Sequence, residues 1–146
     1  MGIWKRPLPP EVFAGTHATT LPGLLGIRLV EMGEDYVRAT MPVDERHVQP
    51  AGILHGGASV VLAETVGSVC GVMALEEGWT VVGLEVNANH LAAVPKGDSV
   101  EAVCRPLQLG RSVQVWQIEI RRGDGRLSCV SRLTTVVREV RGGRAG

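Results

Sequence analysis

One acid, Glu64, sits in the middle of an apolar run that extends from Ala58 to Leu75, nine residues after His55 and just behind Gly56-Gly57. A carboxylate buried in an apolar helix costs several kcal/mol unless something pairs with it or uses it. The glycine pair lets a helix open at close quarters to another group. The first N–H groups of a helix have no internal partner and carry the positive end of its dipole, so the turn at His55–Ala58 is a donor site for an oxyanion. The stretch from Gln49 to Leu75 therefore holds an anion-stabilising turn and a lone carboxylate. Two plainer readings stand beside this one: a structural ion pair for Glu64 and a capping role for His55.

The elements that must position these groups follow from periodicity. Pro50 and Gly52 close the loop before the helix, which is expected over Gly57–Glu76 with Glu76-Glu77-Gly78 as its stop. On that helix Gly57, Val61, Glu64 and Ser68 share one stripe, so Glu64 and Ser68 point together into the space beside the glycine turn. Ala63, Gly67, Gly71 and Ala74 form a second, small-residue stripe that suits close approach to a sheet or a partner helix.

Residues 1–8 read as an arm, Pro9-Pro10-Glu11 as the first turn of a short helix, and Leu21-Pro22-Gly23 as a turn. Gly26–Met41 reads as strand, turn, strand. After the helix, Trp79–Val94 alternates, with Val82, Leu84, Val86 and Ala88 assigned to one side. Ser99–Leu107, Val113–Arg121 and Leu127–Val137 are three further strands, the last two joined at Gly123-Asp124-Gly125, and 139–146 is a polar, mobile tail. The order is short helix, two strands, one long apolar helix, then three or four strands. That is an α+β chain forming a single domain over 1–146, with one antiparallel sheet curled around a central helix.

Composition narrows the function. A formal net charge of zero argues against nucleic acid as a partner, and 3% aromatic residues argue against stacking platforms for single strands. Cys70, Cys104 and Cys129 are odd in number and form no CxxC pair, which reads as reduced thiols in a cytoplasmic protein. No signal-peptide pattern opens the chain, and the acid in the apolar run argues against a membrane span. His17, His47, His55 and His90 show no metal-ligand spacing, so no metal is expected.

Helix-opening HGG followed by the acid, together with Ile3–Arg6 (IWKR), Ala39–Arg46 (ATMPVDER), Leu54–Glu64 (LHGGASVVLAE), Val81–His90 (VVGLEVNANH) and Gln114–Ile120 (QVWQIEI), resembles the hotdog-fold PaaI-like acyl-CoA thioesterases. Within them the likeness is to the aryl-CoA branch, which includes the bacterial 1,4-dihydroxy-2-naphthoyl-CoA thioesterases and their relatives in enterobactin synthesis. The resemblance implies hydrolysis of an acyl-CoA thioester, with 1,4-dihydroxy-2-naphthoyl-CoA or a benzoyl-CoA type as lead substrate. No cofactor is implied, since coenzyme A is part of the substrate. It implies Glu64 as nucleophile or general base, the Gly56 N–H polarising the carbonyl with His55 beside it, Gln49 orienting substrate or water, and Ser68 one turn after the acid. Coenzyme A contacts fall on Gly83, on His90, Leu91, Ala92 and Ala93, and on Gln108, Leu109, Gly110, Arg111, Ser112 and Val113. The chain departs from the pattern at Leu91-Ala92-Ala93, where relatives often carry a basic residue; Arg111, Lys96 and Arg105 are then the candidates for the phosphates. A homo-oligomer, a dimer of dimers with sites shared between subunits, is also implied.

Thioester hydrolysis needs an oxyanion donor and an activated water or nucleophile, which a helix N-terminus and a desolvated carboxylate supply. No Gly-x-Ser-x-Gly elbow is present. The alternative is a non-catalytic module binding acyl-CoA or an acyl carrier, but such a module has no need of an acid beside the carbonyl.

Overall fold

The computed structural model describes residues 2–142. Its elements run α1 (Pro10–His17), α2 (Leu21–Leu24), β1 (Arg28–Met32), β2 (Val37–Pro42), α3 (Gly56–Met73), β3 (Trp79–His90), β4 (Ser99–Leu109), β5 (Val113–Arg122) and β6 (Leu127–Glu139). The six strands form one antiparallel sheet in the order β1-β2-β4-β5-β6-β3. The expected α+β hotdog arrangement, one sheet on one long helix, is what the chain adopts. Leu21-Pro22-Gly23, expected as a turn, closes a single helical turn, and of the expected tail Glu139 ends β6 while 143–146 lie outside the described residues.

Alternation sets the core. Val37, Ala39 and Met41 of β2, Val100, Ala102 and Cys104 of β4, and Trp116, Ile118 and Ile120 of β5 are all buried. They close on Leu62, Ala63, Val66 and Cys70 of α3. The small-residue stripe faces this sheet. A Cβ on Gly67 would stand 2.6 Å from Leu133, and one on Gly71 would stand 2.8 Å from Gln114 Oε1. The stripe is therefore spent on the chain's own sheet, the first of the two partners that its small residues allow. What stays open is the opposite face of α3, where Val61, Thr65, Val69 and Val72 are only half-buried. The helix is long and apolar enough to cross a membrane, yet its buried face is the floor of this core.

One polar chain crosses the core. Gln114 Nε2 donates to the Gly71 carbonyl (3.3 Å), and Gln114 Oε1 accepts from Trp116 Nε1 (3.0 Å) and Thr135 Oγ1 (3.4 Å). Every group in it has a partner, which is the condition for burying polar atoms at low cost. Trp116 in turn stacks on Trp4 at 6.1 Å.

The N-terminal arm is fastened to the end of α3. The helix ends at Met73 and not at Glu76, with Ala74 as its C-cap. Arg6 supplies the closure: its Nε donates to the Leu75 carbonyl (3.0 Å), and its Nη2 donates to Val72 (3.1 Å) and Trp79 (2.7 Å). The last carbonyls of a helix lack internal partners, and a cation is favoured at its negative end.

Candidate functional site

The loop before α3 is tied down by a buried histidine that the motif reading passed over. His47 is 1% exposed; its Nε2 donates to the Leu25 carbonyl (2.7 Å) and its Nδ1 accepts from the Asp44 N–H (3.1 Å). Backbone bonds complete the frame: His55 N–H to the His47 carbonyl (2.8 Å), Leu54 N–H to Val94 (2.8 Å) and Gly52 N–H to Gln49 (2.9 Å). Gly52 takes φ +78, the left-handed conformation that closes this turn. Arg46 holds the Asp44 carboxyl far below the usual carboxylate range through side-chain and backbone hydrogen bonds.

At the helix opening, His55 is the N-cap, and its Nδ1 accepts the Gly57 N–H at 2.8 Å. The capping reading of His55 is thus correct for its ring. Ala58 and Ser59 N–H go to the His55 carbonyl at 2.9 and 3.4 Å. The Gly56 N–H alone in this turn has no acceptor among the described residues. A Cβ there would meet the His90 ring at 2.8 Å, so any larger residue must displace that ring. A cleft of about 390 Å³ opens at this point, lined by Gln49, Gly56 and His90 through Ala93, with the buried Ser59 and Ser128 at its back. The two serines come from a helix and a strand 69 positions apart and carried no motif.

Glu64 lies elsewhere on α3. It is half-buried, not enclosed as the apolar run implied, because the helix face that carries it is the open one. It has neither an ion-pair nor a hydrogen-bond partner among the described residues, so a structural salt bridge does not explain it. Its carboxylate lies against Gly83 of β3, where a Cβ would stand 2.7 Å from Oε1. Gly83 is brought there by a β-bulge. The pairing of β3 with β6 shifts between Gly83 and Glu85, opposite the consecutive Thr135 and Thr134. The extra residue, Leu84, is 58% exposed. The inward side is therefore Val81 and Gly83 before the bulge and Val86 and Ala88 after it. Val82 and Leu84 do not share a face with Val86 and Ala88, as unbroken alternation would require.

The close approach yields a prediction. Gly83→Ala must push the carboxylate aside while the exposed edge strand tolerates the methyl. We expect a folded protein in which kcat for the acyl-CoA hydrolysis that the resemblance implies is lowered about 10- to 100-fold, the scale of a displacement near 1 Å. Wild-type turnover in Gly83→Ala would separate Glu64 from the chemistry.

The remaining expected residues divide into two groups. Ser68 lines a second cleft of about 480 Å³ with Arg6, Leu8, His17, Val69 and Val72, and not the cleft at the glycine turn. Gln108 to Val113 form the β4–β5 turn, next to Val136 and thus to the Val82 end of β3, while His90 pairs with Cys129 at the other end. One chain therefore assembles Gln49, Gly56 and His90–Ala93 in one place, and Glu64, Gly83 and the 108–113 turn in another. Eight helical residues, roughly 12 Å, separate Gly56 from Glu64. Among the candidate phosphate ligands, Lys96 is paired with Glu45 (2.7 Å) and Arg105 with Asp35 (2.8 Å), whereas Arg111 has no ion-pair partner among the described residues.

Residues 51–129 match the thioesterase superfamily model. The chain is 52% identical to the 1,4-dihydroxy-2-naphthoyl-CoA hydrolase of Escherichia coli over 92% of this chain and 98% of that protein. It is 49% identical to the proofreading thioesterase EntH of Cronobacter turicensis, with the same coverages of 92% and 98%. A crystal structure of a thioesterase from Haemophilus influenzae superposes with a TM-score of 0.91 at 50% identity, over 94% of this chain and 95% of that one.

Proposed function

The chain belongs to the thioesterase superfamily and is a thioester hydrolase acting on CoA thioesters; from that premise we propose that its substrate is an aryl-CoA, with 1,4-dihydroxy-2-naphthoyl-CoA as lead candidate. The observation that carries the mechanism is a pair of groups unsatisfied among the described residues: a Gly56 N–H without an acceptor and a Glu64 carboxylate without a cation. The thioester carbonyl oxygen takes the Gly56 N–H. Such a preorganised donor stabilises the charge that develops on attack. Glu64 acts as general base on water, or attacks the carbonyl itself. Gln49 spends its Oε1 on the Ala51 N–H, which leaves its amide N–H groups to orient substrate or water. In this reading the enzyme is cytoplasmic, where its three cysteines stay reduced.

The reading also requires two chains. Strand β3 is an open edge of 12 residues. An edge of that length calls for a partner, and two-fold pairing is the commonest answer. Antiparallel pairing of β3 with its own copy reverses the strand, so the His90 end of one chain runs toward the Gly83 end of the other. The Gly56 donor of one subunit then faces Glu64 and Ser68 of its partner. Two such dimers form the proposed tetramer, for which the exposed Val82, Leu84 and Val113 offer apolar surface.

Two measurements test the reading. In a panel of acyl-CoAs, kcat/KM for aryl-CoA should exceed that for palmitoyl-CoA by at least about tenfold; a preference for the long chain sinks the aryl assignment. Of the three candidate cations, Arg111 alone has no ion-pair partner among the described residues, and we assign it to a CoA phosphate. Arg111→Ala should raise KM several-fold with kcat nearly unchanged, as expected when binding common to ground and transition states is lost. An unchanged KM would clear Arg111 of that role.

A further inference from the structure

The second cleft shares only Ser68 with the chemistry above. It runs beside the C-terminal half of α3, with Leu8, Val69, Val72 and Met73 as apolar walls. Its volume, about 480 Å³, lies within the range of small-molecule sites. Two basic side chains reach it, and one is already committed: Arg6 Nε and Nη2 serve the carbonyls of Leu75, Val72 and Trp79. The other is His17, at the end of α1. Its Nδ1 donates to the Phe13 carbonyl (3.0 Å) and lies 2.9 Å from Thr16 Oγ1. Its ring stacks on the buried Phe13 at 4.1 Å. Those contacts fix both the ring plane and the tautomer. With the proton on Nδ1, Nε2 carries a lone pair and has no partner among the described residues.

The cleft and the proposed reaction centre lie along the same helix, α3. Ser68, which lines it, is one turn beyond Glu64, and Met73 is nine residues beyond, roughly 14 Å along the axis. An acyl group whose carbonyl sits at Glu64 and whose body follows the helix enters this cleft. Its walls accept a flat apolar ring; of the lining polar groups without a hydrogen-bond partner among the described residues, Arg6 Nη1 only donates, the Ser68 hydroxyl serves either way, and His17 Nε2 only accepts. We propose that the cleft receives the acyl group and that His17 Nε2 accepts a hydrogen bond from a hydroxyl on the far side of the ring, so that His17 selects hydroxylated aryl acyl groups over their unsubstituted counterparts. The inference rests on the thioesterase reading with Glu64 at the carbonyl, and adds the chemistry of acyl selection. An unsubstituted ring leaves Nε2 desolvated and unpaired, and sites built to bond a substrate hydroxyl discriminate strongly for that reason.

The experiment compares kcat/KM within two pairs, 4-hydroxybenzoyl-CoA against benzoyl-CoA and 6-hydroxy-2-naphthoyl-CoA against 2-naphthoyl-CoA, in wild type, His17→Phe and His17→Gln. Wild type should favour the hydroxylated member of at least one pair by about tenfold. His17→Phe keeps an aromatic ring beside Phe13 but has no acceptor, and should bring that ratio to within about twofold of one. His17→Gln retains an acceptor oxygen and should recover part of the preference. Both members of a pair are assayed on the same protein, so any loss of folded material cancels from the ratio. A wild-type ratio near one in both pairs, or a wild-type preference that persists in His17→Phe, overturns the inference while leaving the thioesterase standing. Failure of wild type to hydrolyse all four thioesters overturns both readings together.

Discussion

Glu64→Gln should lower kcat on aryl-CoA by about 10³-fold or more, with the unfolding midpoint close to that of wild type. Replacing a positioned general base removes about 10²–10⁴ in rate, and replacing a nucleophile removes the route it opened. The stability half of the expectation follows from what surrounds the residue. Glu64 is half-buried, and no cation or donor among the described residues is lost with its charge. The amide keeps the shape that lies against Gly83. A structural carboxylate behaves in the opposite way: removing one member of a buried pair strands the other and destabilises the fold strongly. Steady-state kinetics and urea unfolding on the same preparation read both halves. Turnover of Glu64→Gln near the wild-type rate would remove Glu64 from the mechanism. Ser68→Ala should be milder, because its hydroxyl lies one turn away and positions water or substrate without taking a proton.

The second large effect is a recovery of activity. Glu64→Ala and Gln49→Ala should each be nearly inactive alone, and a refolded mixture of the two should regain activity. If each site takes Gln49 and the Gly56 donor from one subunit and Glu64 from the other, a mixed dimer holds one site with both lesions and one with neither. Random pairing makes half the dimers mixed, so a 1:1 mixture should reach about a quarter of wild-type activity. The motivation is the division of the site within the chain, with the glycine turn and His90 at one end of β3, and Gly83, Glu64 and the 108–113 turn toward the other. No recovery, with subunit exchange shown by mass and both parents folded, would mean that each site is built within one chain.

The parts legible in the sequence are those governed by near neighbours. A histidine before two glycines marks a helix start, and the ring does cap it. The buried rows of β2, β4 and β5 read directly from alternation. The bulge at Leu84 did not, because Val81, Val82, Leu84 and Val86 are all apolar and either parity fits the residue types. The enclosure of Glu64 was overestimated for a related reason. Apolar residues all round α3 say that every face is to be covered, but not whether the cover is this chain or another copy. Ser59, Ser128 and His47 join the loop and cleft only through the fold, from separate elements with no local pattern. The separation of Ser68 from the glycine turn is likewise a matter of helix length, which stripe membership does not measure.

The Arg6 clasp has a consequence in time. The guanidinium caps carbonyls that lie 66 to 73 positions later in the chain. At a synthesis rate of about 5–20 residues per second, Arg6 emerges about 4–15 s before the last of its acceptors exists. During that interval the Arg6 clasp cannot close. The first segment to be translated therefore waits for the middle of the chain before it finds its place, and the second cleft, walled in part by Leu8 and Arg6, closes no earlier.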